Sequence, residues 1–175
     1  QKTDYDKEGK YFLERYISAH AIMIAFEGIP AIYFNSIFGT SNDEYKYIIS
    51  NNKRDLNRYK WNKKKLESLL KNKNSKQSIF YQKIMNLISI KKQNKAFHPN
   101  AKRENLDMGK KLFCFKRTSL DKKQIIYNVT NLSSKYQKLI LNKKITKYQN
   151  LLDKSKINRK FKLKPYETLW LTNYK

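Results

Sequence analysis

Cysteine is almost missing from this 175-residue chain: Cys114 is the only one. With no second cysteine there is no internal disulfide, and the expectation is a protein of a reduced compartment. No CxxC pair, no HExxH helix and no phosphate-binding glycine loop occur, and there are only four glycines in all. Those gaps leave no sequence argument for a metal site or a cofactor, so none is expected. No apolar run approaches the ~20 residues needed to cross a bilayer. The first residues, Gln1-Lys2-Thr3-Asp4-Tyr5-Asp6, have none of the hydrophobic character of a secretory signal. Cytoplasm is therefore the expected location. A chain opening on Gln1 instead of Met also fits a processed product or a fragment.

Acidic residues are scarce as well: 14 Asp and Glu stand against 39 Lys and Arg, giving a formal charge of +25. Such a charge raises nucleic acid or another polyanion as a partner. Yet 33 of the cations are lysine and only six are arginine, the residue of bidentate base and phosphate contacts. The lysines run from end to end among Asn, Ile and Tyr, as in Tyr45-Lys46-Tyr47-Ile48-Ile49-Ser50-Asn51-Asn52-Lys53. That mixture suits compositional drift toward A+T-rich codons at permissive surface positions. A basic polyanion-binding module is kept as the alternative reading.

What is present is aromatic mass. Thirteen Tyr, nine Phe and two Trp supply large apolar area for a core although the hydrophobic share is only 39%. Residues 8–27 read as a deeply packed helix, with Gly28 placed as its left-handed C′ residue and Pro30 blocking continuation. Ala31-Ile32-Tyr33-Phe34 lacks polar alternation and reads as a strand buried on both faces, the parallel-sheet signature. Together they make half of a β/α unit, whose functional loop follows the strand. That loop runs from about Asn35 to Trp61, with Tyr45, Tyr47, Ile48 and Ile49 expected to anchor it as a short helix. Helices follow from about Lys63 and over 77–92, and Ala96-Phe97-His98-Pro99-Asn100 breaks the periodicity. Beyond residue 100, short strands at 112–115, 124–128, 136–141, 161–164 and 168–171 predict a small antiparallel β-domain.

The most unusual local chemistry is Arg54-Asp55-Leu56-Asn57-Arg58-Tyr59, with two of the six arginines four residues apart. Presented from a loop at a strand's end, such side chains suit sugar hydroxyls or a phosphate. Pairing of Asp55 with the arginines to fix the loop is the competing expectation. No pair of carboxylates has a spacing that marks it as an acid/base couple. His20 and His98 are expected to be structural, and Cys114 to be a buried core thiol.

Several of these stretches together resemble glycoside hydrolase family 13, the α-amylase superfamily. Residues 19–34, with Gly28-Ile29-Pro30-Ala31-Ile32-Tyr33, resemble the seventh helix and eighth strand of its barrel. Residues 35–43 and Arg54-Asp55-Leu56-Asn57-Arg58 resemble the sucrose phosphorylase branch, which includes glucosylglycerate phosphorylase. Ala96-Phe97-His98-Pro99-Asn100 and Lys164-Pro165-Tyr166-Glu167-Thr168-Leu169-Trp170-Leu171 extend the likeness in order to the end of the chain.

The resemblance implies an α/β plus all-β chain. Residues 1–99 would be the C-terminal fragment of a (β/α)8 TIM barrel, with its last helices and strand eight. Residues 100–175 would be a small antiparallel β-sandwich domain. It implies a retaining α-glucosyl-transferring phosphorylase whose three catalytic carboxylates follow barrel strands four, five and seven. All three precede the matched region, so no residue here inherits a catalytic role. The substrate or phosphate subsite residues carried over are Arg54, Asp55, Asn57 and Arg58, with Lys53 where the family has a glycine. The implied partners are a small sugar, inorganic phosphate and the missing N-terminal barrel portion. A lone barrel strand has two unpaired edges, so 1–95 is expected not to be stably folded alone as native barrel.

Overall fold

The computed structural model describes residues 9–140 and 147–173. Contacts divide the chain into two compact units, one of residues 1–30 with 86–175 and one of residues 31–85.

In the first unit, α1 (Phe12–Ala25) buries Ser18, Ala21, Ile24 and Ala25 along one stripe. Its end differs from the sequence expectation. Phe26 leaves the helix in extended backbone (φ −64°, ψ 163°), so no left-handed residue sits directly at C′. Gly28 does adopt φ +79°, and its N–H donates to the Pro99 carbonyl at 2.9 Å. The glycine is spent on joining the Gly-Ile-Pro turn to the Ala96–Asn100 break.

Among the described residues eight strands follow: β1 (Lys102–Leu106), β2 (Leu112–Thr118), β3 (Ile125–Asn131), β4 (Gln137–Ile140), β5 (Lys147–Asn150), β6 (Lys156–Asn158), β7 (Lys160–Leu163) and β8 (Thr168–Asn173). All pairings are antiparallel, in a six-stranded sheet ordered β1-β2-β3-β8-β5-β6 and a two-stranded sheet of β4 and β7. Leu139 of β4 and Leu163 of β7 share one buried cluster with Cys114, Tyr127, Val129, Tyr148, Leu169 and Leu171 of the larger sheet. The alternate residues of the same strands, Phe115, Ile126, Asn128 and Trp170, are buried as well. Phe97 packs on Trp170 with ring centroids 4.7 Å apart, and Phe26 meets Phe115 edge-on at 5.2 Å. Helix and break thus cover the second face of the sheet, which is why Leu112-Phe113-Cys114-Phe115 shows no polar alternation. The expected strand ending at Leu141 is seen as β4, Leu141 itself lying outside the described residues. β1, β5 and β6 were not legible, because Lys-Arg-Glu-Asn-Leu, Lys-Tyr-Gln-Asn and Lys-Ile-Asn carry too few apolar residues to show a period of two.

Burial pushes the Cys114 thiol up to about 11. Its thiolate fraction at neutral pH is then on the order of 100-fold below that of an ordinary cysteine. A thiol reagent is expected to modify the native chain at least that much more slowly than the urea-unfolded chain, as followed by mass spectrometry.

In the second unit the predicted strand at 31–34 is not formed. Residues 31–33 carry no regular structure, and Phe34 opens a single helical turn, α2 (Phe34–Ile37). A strand exists only through ladder hydrogen bonds, and no other strand lies within 31–85. The unalternating apolar run that signalled a parallel strand therefore marks an element with no partner in this unit. After it come α3 (Glu44–Ser50), a 3-10 turn at Lys53–Asn57, α4 (Lys63–Lys71) and α5 (Lys76–Gln93). α5 runs from this unit into the first, burying Phe80 and Ile84 in one stretch and Leu87 and Ile90 in the next.

Candidate functional site

The segment 35–61 is held by side chains, not by a sheet. Asn35 is buried, and its amide donates to the carbonyls of Asn57 (3.4 Å) and Tyr59 (2.9 Å). Trp61 Nε1 donates to Thr40 Oγ1 at 3.0 Å, closing the same loop 21 residues away. Asp43 caps α3 by accepting from the Lys46 N–H, while its own N–H donates to the Leu56 carbonyl at 2.7 Å. Asn51 ends α3 in the left-handed region (φ 48°), as asparagine tolerates. Asn52 then caps the 3-10 turn by accepting from the Arg54 N–H at 3.0 Å. Lys53 lies inside that turn with ordinary φ, so no glycine is needed there.

Gly39 is the tightest point. It adopts φ +57°, and a Cβ built on it would lie 2.5 Å from the Phe80 ring. Gly39→Ala is expected to cost about 1–3 kcal/mol through both backbone strain and overpacking. Urea unfolding of the two chains side by side is the check.

Of the four residues singled out in the sequence, three come together and one faces elsewhere. Arg54, Asn57 and Arg58, with Tyr33 and Lys53, line an open cleft of about 380 Å³. Asp55 instead accepts from Lys46 Nζ at 2.9 Å. Among the described residues neither Arg54 nor Arg58 makes a close ion pair with a carboxylate, so the expected pairing of Asp55 with the arginines is replaced by the Lys46 tie, Arg58 acting on Asp55 only through its charge. The described lining of the cleft presents three cations and no carboxylate, an arrangement that attracts anionic oxygens. Hydrogen bonds from Lys46 and Ser50 hold the Asp55 carboxyl below the usual carboxylate range. A depressed pKa means that the tie stabilises the loop above the ordinary carboxylate pKa, and is lost as pH falls through the lowered one. An NMR titration of the Asp55 carboxyl carbon is expected to show that lowered midpoint, and Lys46→Met to raise it toward the ordinary range, with the Ser50 hydrogen bond left in place.

Asn35, Lys46 and the Trp61–Thr40 pair were invisible beforehand, because their contacts span 9 to 24 positions with no periodic signal. The expected anchoring by Tyr45, Ile48 and Ile49 is also corrected: these side chains are exposed, and only Tyr47 of that set is half-buried. A second open cleft of about 340 Å³ lies beside α3, with Thr40, Asp43, Tyr59, Trp61 and Gln77 among its walls.

The histidines are structural in their contacts. His20 Nδ1 lies 2.9 Å from the Tyr16 carbonyl and its ring stacks on Tyr16, while His98 Nδ1 accepts from the Asn100 N–H at 3.2 Å. Among the described residues no three His, Cys, Asp or Glu side chains converge on a point where a metal would sit. No described helix is long and apolar enough to cross a membrane.

No family model matches the chain. Its fold is shared with solved sugar-converting enzymes. A mutant isomaltulose synthase from Erwinia rhapontici in complex with D-glucose superposes with a TM-score of 0.72 at 15% identity, over 97% of this chain and 40% of that one. That likeness is one of fold, to a part of those enzymes' chains. In sequence the chain is similar to a part of two glucosylglycerate phosphorylases. It is 33% identical over 89 residues to the glucosylglycerate phosphorylase of Allomeiothermus silvanus, covering 51% of this chain and 16% of that protein. It is 34% identical over 86 residues to the Escherichia coli glucosylglycerate phosphorylase, covering 49% and 15%. The chain therefore spans about a sixth of the length of these relatives.

Proposed function

We propose that this chain is the C-terminal part of an α-glucosyl-transferring glycoside phosphorylase that works by a retaining mechanism. The observation that carries the reading is the sequence likeness to glucosylglycerate phosphorylases, at a third identity over half the chain. Residues 1–99 are read as the end of the catalytic barrel and residues 100–175 as the β-domain behind it, in a cytoplasmic enzyme.

A retaining transfer needs one carboxylate as nucleophile and another as acid/base, about 5–5.5 Å apart across the glucosyl unit. The bond-breaking carboxylates belong to the part of the fold this chain does not contain. What this chain supplies is the anion-holding wall. Arg54 and Arg58, without a close ion pair among the described residues, and Lys53 hold inorganic phosphate, or the acid group of the acceptor, beside the glucosyl carbon. Asn57 offers directed hydrogen bonds, and Asp55 keeps the turn in place through Lys46.

The test is a chimera in which the matching stretch of the E. coli relative is replaced by the corresponding residues of this chain. Release of a glucosyl phosphate from glucosylglycerate and inorganic phosphate is expected. A soluble chimera that yields none of it removes the reading.

The alternative, a basic polyanion-binding module, has the charge of +25 and the carboxylate-free cleft in its favour. Binding of that kind weakens steeply with salt and ignores sugar identity. A nucleic-acid filter assay on the intact chain between 50 and 300 mM salt (~sixfold) decides it: micromolar, salt-steep retention supports that module, and no retention leaves the phosphorylase reading.

A further inference from the structure

Asn35 sits in the single turn of α2 and is only 6% exposed, yet nothing in the chemistry proposed above uses it. Its amide nitrogen donates to two carbonyls, that of Tyr59 at 2.9 Å and, more weakly, that of Asn57 at 3.4 Å. Those two residues flank Arg58, which lines the anion cleft. Two carbonyl partners fix which end of the amide faces them, because only the nitrogen can donate. Oδ1 is then left buried with no donor among the described residues. A buried acceptor of that kind costs stability, so a side chain kept only for packing would not carry one. The backbone of Asn35 is fastened too. Its carbonyl accepts from the Thr40 N–H at 3.1 Å, and Thr40 in turn holds Trp61.

We propose that Asn35 is a positioning residue for the anion cleft, fixing the course of the chain through Arg58 so that its guanidinium meets the bound oxygens. The inference rests on the reading of that cleft as the phosphate-holding wall. The two arginines of the wall are secured differently. Arg54 is held by local bonds, from the Asn52 cap and the Lys46–Asp55 tie. Arg58 leaves the 3-10 turn as its C-cap (φ −109°, ψ 41°), and its own N–H reaches the Asp55 carbonyl only at 3.4 Å. A turn end bonded that weakly needs a long-range clamp, and Asn35 gives one from 22 and 24 positions away. Charged groups act fully on an anion only when the bonds behind them lock their direction.

The test is a titration of the intact chain with inorganic phosphate at constant ionic strength, read from the Arg54 and Arg58 guanidinium NMR signals. Asn35→Ala is expected to weaken phosphate binding by about tenfold, as for other residues that orient a binding group. Asn35→Ser, whose shorter hydroxyl can still donate to one carbonyl, is expected to weaken it by about threefold. Thr40→Val is the control. It frees Trp61 from the same α2 anchor without touching the bonds around Arg58, and it is expected to bind phosphate like the parent. All forms are compared where circular dichroism shows them folded, so that a merely structural role leaves the dissociation constant unmoved. Parent-like affinity in a folded Asn35 variant overturns the proposal. So does an equal loss in Thr40→Val, which marks general loosening of the loop. If neither Asn35 variant folds, the residue is structural and the proposal falls, and it falls also if phosphate leaves the parent's arginine signals unmoved. Failure of the phosphorylase reading is a different result, a soluble chimera that releases no glucosyl phosphate.

Discussion

Arg117→Leu is expected to lower the stability of the first unit by about 3–5 kcal/mol, the range for stripping one partner from a buried charged network. Arg117 is fully buried. Its Nη1 donates to the Ala25 carbonyl at 2.6 Å, and its Nη2 to those of His98 (2.7 Å) and Ala101 (3.1 Å). The first is one of the orphan carbonyls at the end of α1, where cations are favoured by the helix dipole. Lys91 Nζ joins it by donating to the carbonyls of Ile24 (2.8 Å) and Phe26 (3.2 Å). Burial, and the nearby Arg117 charge, depress the pKa of Lys91. Leucine in place of Arg117 fills part of the volume but supplies no donor, so the carbonyls of Ala25, His98 and Ala101 lose their charged partner, two of these bonds being buried. Some relief of the charge on Lys91 offsets part of the loss. Urea unfolding followed by Trp fluorescence measures the difference. A change under about 1 kcal/mol would show that these carbonyls find other donors.

The second large effect concerns the cleft. Arg54→Ala in the E. coli chimera is expected to lower kcat/KM for phosphorolysis by about 100-fold, the equivalent of roughly 2.7 kcal/mol at 1.36 kcal/mol per decade. The reason is geometric. The backbone N–H of Arg54 is held by Asn52, and Lys46–Asp55 ties the turn, so its guanidinium is presented from a hydrogen-bonded turn with no carboxylate among the described lining of the cleft. Arg54→Lys keeps the charge but not the fork, and an intermediate loss of about tenfold is expected. Equal activity in all three forms would show that the cleft holds no reacting anion.

Much of this was legible beforehand where chemistry is local. The helix at 12–25, the helix at 76–93 and the central strands β2, β3 and β8 follow from apolar periodicity and turn residues. The clustering of Arg54, Asn57 and Arg58 follows from their spacing of three and one along a single turn. Two things were hidden for physical reasons. An apolar run such as Ala31–Phe34 states how much burial a segment wants, not whether a neighbouring strand is there to provide it. Long-range ties such as Asn35 to Tyr59 leave no trace in any window of the sequence. Arg117 is the sharpest example. It sits in β2 between Lys116 and Thr118 and reads as one more surface cation, yet it is the residue joining α1 to the break at His98.

The central question is whether this chain's arginines hold an anion that takes part in glucosyl transfer. The phosphate dependence of the chimera reports on that. Glucosyl transfer is expected to saturate with inorganic phosphate, and Arg54→Ala to raise the phosphate KM by about tenfold or more while leaving release of free glucose to water unchanged. Glucose release of the same rate with and without phosphate, identical in the chimera and its Arg54→Ala form, would contradict it.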